Sequence, residues 1–209
     1  MARRRALEIR PSDRFIADTH FSHQSMLTQC ARPFDTVDEM NQHMIESWNA
    51  VVDDDTVVWH LGDFSWWKQP QQEYAVIFDQ LRGRKRLLIG NHDPEPVMKL
   101  KWDQIYMGVV IGHEKSSDTK VALSHYPMRE WPEFFRGAIH FHGHTHSNLP
   151  SSNRSWDVGV DNQGYVPLTL SEIRARMDLL PNLDFVGVES PDFVVGRKGD
   201  DVEAIEVKP

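Results

Sequence analysis

His140, His142, His144 and His146 alternate with Phe141, Gly143 and Thr145 in one unbroken stretch. Neutral imidazole is the commonest protein ligand for transition metals, and two of them held close together lower the ordering cost of binding. Successive side chains on a strand point to opposite faces, so histidines two apart share a side only while the chain stays extended. Gly143 marks a turn, and the pattern predicts a strand from Ala138 to His142 that delivers His144 and His146 into a loop. A histidine-rich surface turn would look the same in isolation. Four further clusters weigh toward metal chemistry: Asp18-Thr19-His20, Gly62-Asp63, Gly90-Asn91-His92-Asp93 and Ser124-His125.

Each cluster sits just beyond an apolar run that reads as a buried strand: Arg14 to Ala17, Thr56 to Leu61, Arg86 to Ile89 and Lys120 to Leu123. Ligand sites in open α/β sheets gather outside the carboxyl ends of the strands, so these ends should converge on one crevice. Helices separate the strands. Thr36 and Glu39 form a capping-box pattern, followed by Val37, Met40, Met44, Ile45, Trp48 and Val51 on one helical face. Tyr74, Ile77, Phe78 and Leu81 make a second stripe, and a third helix is expected from Ser171 to Leu180, closed by Pro181. The alternation implies an α/β sandwich.

In order and spacing, Asp18-x-His20, Gly62-Asp63, Gly90-Asn91-His92-Asp93, His125 and Gly143-His144-x-His146 resemble the calcineurin-like metallophosphoesterase signature, which here spans Phe15 to Asp161. More closely, Asp18-Thr19-His20-Phe21-Ser22-His23, Arg32-Pro33-Phe34, Leu61-Gly62-Asp63-Phe64 and Ser124-His125-Tyr126-Pro127 resemble a branch of small bacterial and phage-encoded phosphoesterases. The protein Ser/Thr phosphatase branch carries Gly-Asp-x-x-Asp-Arg-Gly. Here Asp63 is followed by Phe64-Ser65-Trp66-Trp67-Lys68, which argues against that activity.

The resemblance implies a two-sheet β-sandwich core flanked by helices in four αββα layers. That domain would occupy residues 1–180, with 181–209 as a C-terminal extension packed on it or trailing from it. It also implies two divalent metal ions. Asp18, His20 and His146 would hold the first, Asn91, His125 and His144 the second, and Asp63 would bridge them. Two such cations about 3.5–4 Å apart repel each other, so a shared carboxylate and a bridging hydroxide belong between them. Nitrogen and oxygen donors without thiolate suit Mn, with Fe, Zn, Ni or Co as alternatives. The expected reaction is attack of that hydroxide on a phosphodiester, with His92 assisting the leaving group. Phosphomonoester hydrolysis, or a metal-binding scaffold without catalysis, are the alternatives.

His23, three residues beyond His20, could touch the substrate phosphate or support the site from behind. Arg32 and Arg129 could each clamp a phosphate, although most arginines lie at the surface. Asp93 could orient His92 or stabilise its own loop. His43 falls on a predicted helix, and His60, His113, His140 and His142 read as supporting groups. Among seven tryptophans, Trp66, Trp67 and Trp131 fall near the motif loops and could stack on a base or aryl group. Trp48, Trp59, Trp102 and Trp156 read as packing residues. Trp66 and Trp67 cannot both face inward on a regular strand, so at least one should be exposed.

With 209 residues, 40% of them hydrophobic, the chain can bury a sizeable core as one domain. Its net charge of −8 argues against a general nucleic-acid surface, while a small phosphoester, nucleotides included, could still bind the metals. No apolar segment follows the basic Met1-Ala2-Arg3-Arg4-Arg5 start, so no secretory signal is expected, and no stretch approaches a membrane span. Cys30 stands alone, which fits a cytoplasmic setting. From Pro181 onward the sequence is irregular, with Gly187, Gly196 and an acidic Gly199-Asp200-Asp201 turn. Nothing in the pattern sets the oligomeric state.

Overall fold

Two mixed sheets of five strands each face one another in the computed structural model, which describes residues 6–66, 68 and 70–181. The strands are β1 (Leu7–Ile9), β2 (Arg14–Ile16), β3 (Val57–His60), β4 (Arg84–Leu88), β5 (Gln104–Tyr106), β6 (Val110–Glu114), β7 (Thr119–Leu123), β8 (Ile139–His142), β9 (Ser155–Asp157) and β10 (Leu168–Thr169). The helices are α1 (Met26–Gln29), α2 (Val37–Val51), α3 (Gln71–Gln80), α4 (Glu95–Met98), α5 (Val160–Gln163) and α6 (Leu170–Met177). One sheet runs β10-β2-β3-β4-β5, parallel except for the β10 edge. The other runs β1-β6-β7-β8-β9, with only β6 and β7 antiparallel.

The expected strands are present, displaced at their ends by no more than two residues. Their apolar character has a simple cause. Phe15, Trp59, Leu61 and Leu88 from one sheet meet Val121, Leu123, Phe141 and Trp156 from the other in a single buried core. Phe15 and Phe141 meet edge to face across it, with ring centroids 5.1 Å apart. The opposite face of the first sheet, carrying Ile16 and Val58, is covered by the stripes of α2 and α3, including Met40, Met44, Trp48, Tyr74, Ile77 and Phe78.

Capping differs in detail from the sequence expectation. Thr36 Oγ1 accepts the Glu39 N–H at 3.1 Å, but the Glu39 carboxylate reaches back to the Asp35 N–H instead of Thr36. The reciprocal box is found at Thr169 and Glu172, where it starts α6. That helix packs Leu170, Ile173 and Met177 against the inter-sheet core.

Among the described residues, the outer face of the second sheet is covered differently from that of the first. The second sheet's outer residue Ala122 is covered by Trp131, Phe134 and Ala138 from the β7–β8 connection, whose only helical turn is a 3-10 turn at Phe134–Arg136. Pro127 and Pro132 break that connection before a longer helix can form. The Gly187, Gly196 and Gly199 features lie outside the described residues, as does most of the 181–209 extension. Among the described residues, no helix is long and apolar enough to cross a membrane.

Candidate metal centre

The two sheets are stitched together where their strands end. Beyond β2, the Ala17 N–H donates to Val158 O at 2.9 Å, and the Val160 N–H donates to Ala17 O at 3.0 Å, joining the first sheet to the chain leaving β9. The loops after β2 and β3 then run side by side, with Asp18 N–H bonded to Gly62 O (3.0 Å) and His20 N–H to Asp63 O (3.1 Å). Along these loops and the one after β8, Asp18 (φ 56°), His20 (48°), Asp63 (59°), His144 (70°) and His146 (46°) all adopt the left-handed conformation. Residues with a Cβ are rarely found there, each at a cost of about 1–3 kcal/mol, and such strain concentrates at functional sites. Gly90 and Gly143 allow the close approach, since a Cβ on either would collide with the carboxylate of Asp63 or Asp18.

The strained loops bring the expected side chains into two groups. Ligand atoms of Asp18, His20 and His146 lie within 4.8 Å of one another, as do those of Asp63, His125 and His144. Asp63 faces both groups: its Oδ2 is 3.5 Å from His20 Nε2 and its Oδ1 is 3.5 Å from His125 Nε2. Asn91 Oδ1 sits 2.9 Å from His125 Nε2. The backbone N–H of His92 donates to Asp63 Oδ1 at 2.8 Å, and its ring lies 5.5 Å from that of His20. A cavity of about 280 Å³ opens over the centre, lined by His20, Asp63, Asn91, His92, His144 and His146 together with Met26, Gln29, Cys30 and Asn148.

The electrostatics fit a cation. His20 is 1% exposed, yet neither ring nitrogen has a hydrogen-bond partner, and Asp18 Oδ1 is equally unpaired. A buried polar atom without a partner costs about 1–3 kcal/mol, and a metal ligand is one of the few arrangements that accounts for it. Burial pulls the His20 imidazole well below its usual pKa and also lowers His125 and His144, leaving neutral rings with lone pairs to offer. Burial pushes Asp18 well up and raises Asp63. His125 Nδ1–H donates to Leu61 O at 2.7 Å, which leaves the Nε2 lone pair facing Asn91 Oδ1 at 2.9 Å, two metal-donor atoms turned toward one another. His146 differs: burial opposes its charged form, but the Asp161 carboxylate and Cys30 outweigh it and hold the ring up at about 10, so this ring would have to give up its Nε2 proton to bind a cation. Nitrogen and oxygen donors of this kind suit first-row divalent ions.

The remaining candidates are distributed differently. Asp93 stabilises the loops: it accepts the N–H groups of Asp63, Phe64 and Gly90. His23 is buried, 3.7 Å from Trp66 in a parallel stack, and bonded to Ser25 Oγ at 2.9 Å. Arg32 is neither a surface residue nor placed to clamp a phosphate: its guanidinium is buried against Asp161 with all its N–H groups engaged. Arg129 is exposed and does not line the cavity. His43 lies exposed on α2, and His113 pairs with Asp118 at the surface. His60 holds Thr19 between two candidate ligands, its Nε2 3.0 Å from Thr19 Oγ1. His140 sits between Ser124 and Ser155 and stacks on Trp131, while His142 bonds to Gly143 O. Trp131 is therefore a packing residue on the outer face, like the buried Trp48, Trp59 and Trp156 and the half-buried Trp102. Trp67 lies outside the described residues.

Sequence reasoning missed two acids and a thiol. Asp157 is fully buried and accepts from Thr145 Oγ1, Ser147 N and Gly159 N, bracing the His144–His146 loop. Asp161 accepts from His146 Nδ1 at 2.8 Å. Burial works against its charge, but His146 and Arg32 hold its carboxyl below the usual range. Cys30 lies within 4.8 Å of His146 and Asp161, but Arg32 already occupies both Asp161 oxygens, which disfavours a separate cation there. A lone Asp on a short helix gives no signal by spacing, because its partners come from other loops.

The chain is thus an α/β protein of two mixed sheets with an Asp/His/Asn centre at the carboxyl ends of five strands, buried at Asp18, His20, Asp63 and His125 and open to solvent at Asn91 and His144. It belongs to the family of the uncharacterized protein MJ1445 of Methanocaldococcus jannaschii, to which it is 31% identical over 165 residues, covering 76% of this chain and 86% of that protein. The Gene 66 protein of Mycobacterium phage D29 is 31% identical over 175 residues, covering 70% of this chain and 86% of the phage protein. That of phage L5 is 29% identical over 180 residues, covering 72% and 86%. No profile of a known protein family matches. Among solved structures, the protein of unknown function AQ665 from Aquifex aeolicus superimposes with a TM-score of 0.62 at 25% identity, over 78% of this chain and 98% of that one.

Proposed function

We propose that this protein is a dinuclear metal-dependent phosphoesterase of the calcineurin-like class that hydrolyses phosphodiesters. The observation that carries this reading is the Asp63 carboxylate, with one oxygen toward His20 and the other toward His125, between two sets of N and O donors. Asp18, His20 and His146 would hold one ion, Asn91, His125 and His144 the other, and Asp63 both. When bound, a pair of divalent cations, Mn²⁺ by first choice, supplies Lewis acidity to phosphoryl oxygens and lowers the pKa of water toward neutrality.

The side chains around that centre favour a diester. Lysine and arginine are absent from the described cavity lining, and the buried Arg32 is fully engaged elsewhere. A phosphodiester carries one negative charge and tolerates that lining better than a monoester dianion, for which arginine forks are the usual partners. Its poor leaving group needs a proton, and His92, half-buried at the cavity wall, is the group to donate it. The other lining residues, Met26, Gln29, Cys30 and Asn148, suit a small uncharged leaving portion, such as that of a nucleotide-like diester. Unpaired Cys30 suits a reducing cytoplasm.

The test compares hydrolysis of bis-p-nitrophenyl phosphate and p-nitrophenyl phosphate by protein stripped with a chelator and then reloaded with Mn²⁺. Activity that returns with metal and favours the diester supports the proposal. Preference for the monoester makes it a phosphatase, and failure on both substrates with metal bound makes it a scaffold.

A further inference from the structure

We infer that Arg32 and Asp161 are positioning residues for the first metal site, one guanidinium fastening both ligand-bearing loops through Asp161 and the backbone around Asp18. This rests on the metal reading above.

Arg32 is 3% exposed, and its five N–H donors meet five acceptors. Nε donates to Asp161 Oδ1 at 2.8 Å, and Nη2 donates to Asp161 Oδ2 at 3.0 Å and to Asp18 O at 2.8 Å. Nη1 donates to Thr19 O at 2.9 Å and to Met40 Sδ at 3.4 Å. The two carbonyls belong to the segment in which Asp18 and His20 adopt positive φ, so Arg32 offsets part of the strain that presents those ligands. Through Asp161 the same guanidinium reaches the second sheet. Asp161 Oδ2 lies 2.8 Å from His146 Nδ1, which fixes that nitrogen as the hydrogen-bonded one and leaves Nε2 for a metal. The clamp therefore ties the loop after β2 to the loop after β8. Lysine cannot replace it, because an ammonium has three donors around a point and lacks the planar fork that the Asp161 carboxylate accepts.

The clamp bonds directly to one site. Arg32 and Asp161 hold the backbone of Asp18 and Thr19 and the His146 ring, whereas Asn91, His125 and His144 make no bond to Arg32 or Asp161 among the described residues; the His144 N–H donates instead to Asp18 Oδ2 at 2.8 Å. A residue that merely stabilised the fold would weaken both sites alike.

The experiment uses the full chain, stripped of metal, as wild type, Arg32→Lys and Asp161→Asn. Mn²⁺ affinity is measured by chelator competition, the electron paramagnetic resonance signal reports one ion against a coupled pair, and thermal unfolding of the metal-free protein checks the fold. The expected result is one Mn²⁺ weakened by about 10–100-fold with the other unchanged, and a coupled signal replaced by a mononuclear one at the same Mn²⁺ per chain. Should Arg32→Lys fail to fold, Asp161→Asn, of nearly equal volume, carries the test. Folded variants that bind two ions with wild-type affinity, or that lose both sites equally, overturn the inference while leaving the metal centre standing. A wild type that binds no Mn²⁺ removes the metal centre itself and the clamp with it.

Discussion

The Asp93 carboxylate accepts the backbone N–H of Asp63 at 2.7 Å, so an acid from one motif holds the left-handed backbone of another. The same carboxylate takes the N–H groups of Phe64 and Gly90, each at 2.9 Å, and is itself buried. Asp93→Ala would leave these donors unpaired at about 1–3 kcal/mol apiece. Urea unfolding should therefore show a loss of roughly 3 kcal/mol, with Asp93→Asn intermediate because one acceptor oxygen remains. An alanine variant as stable as wild type would contradict this role.

His92 should reveal itself through the leaving group. An alkoxide needs a proton to depart, whereas p-nitrophenolate leaves without one. In His92→Ala, hydrolysis of an alkyl phosphodiester should fall by about 10²–10⁴-fold, and hydrolysis of the p-nitrophenyl diester far less, at unchanged metal content. Equal losses for both substrates would assign His92 to some other task.

Two buried histidines outside the ligand set predict acid sensitivity of the fold. Burial holds His60 at about 3, with His125 adding to the effect, and His140 at about 3, with His142 adding. In the unfolded chain each would protonate near pH 6.5. Their folded pKa values are depressed, so the unfolded state binds more protons in that window. The stability they contribute is present above about pH 6.5 and lost as pH falls toward 3, at up to ~1.4 kcal/mol per pH unit for each. His140 Nε2 and Nδ1 are both hydrogen-bonded, to Ser124 and Ser155. His140→Asn should flatten the decline in urea-unfolding free energy between pH ~6.5 and ~4.5. An unchanged slope would show that His140 protonates freely in the fold.

Much of this molecule is legible in its sequence because strand ends and ligands are local patterns. Val57–His60 together with Leu61, and Thr119–Leu123, end in apolar residues followed at once by polar clusters, and the sheets carry those clusters to one place. Arg32 was not legible in the same way. Its charge is visible in the sequence, but the acid that buries it stands 129 positions away on α5. Asp157 and Asp161 gave no periodic or motif signal for the same reason, since each serves loops from elsewhere in the chain. The outer cover of the second sheet was also out of reach. Trp131, read as a candidate stacking surface, packs instead on His140, its Nε1–H bonded to Ala138 O at 2.9 Å.

The central claim, two ions sharing Asp63, is tested most directly by titrating Mn²⁺ into stripped protein while counting bound metal and following diester hydrolysis in the same samples. Activity should stay near background through the first equivalent, rise as the second binds, and be absent in Asp63→Ala across the titration. Full activity at one ion per chain, or turnover that ignores metal altogether, would contradict it.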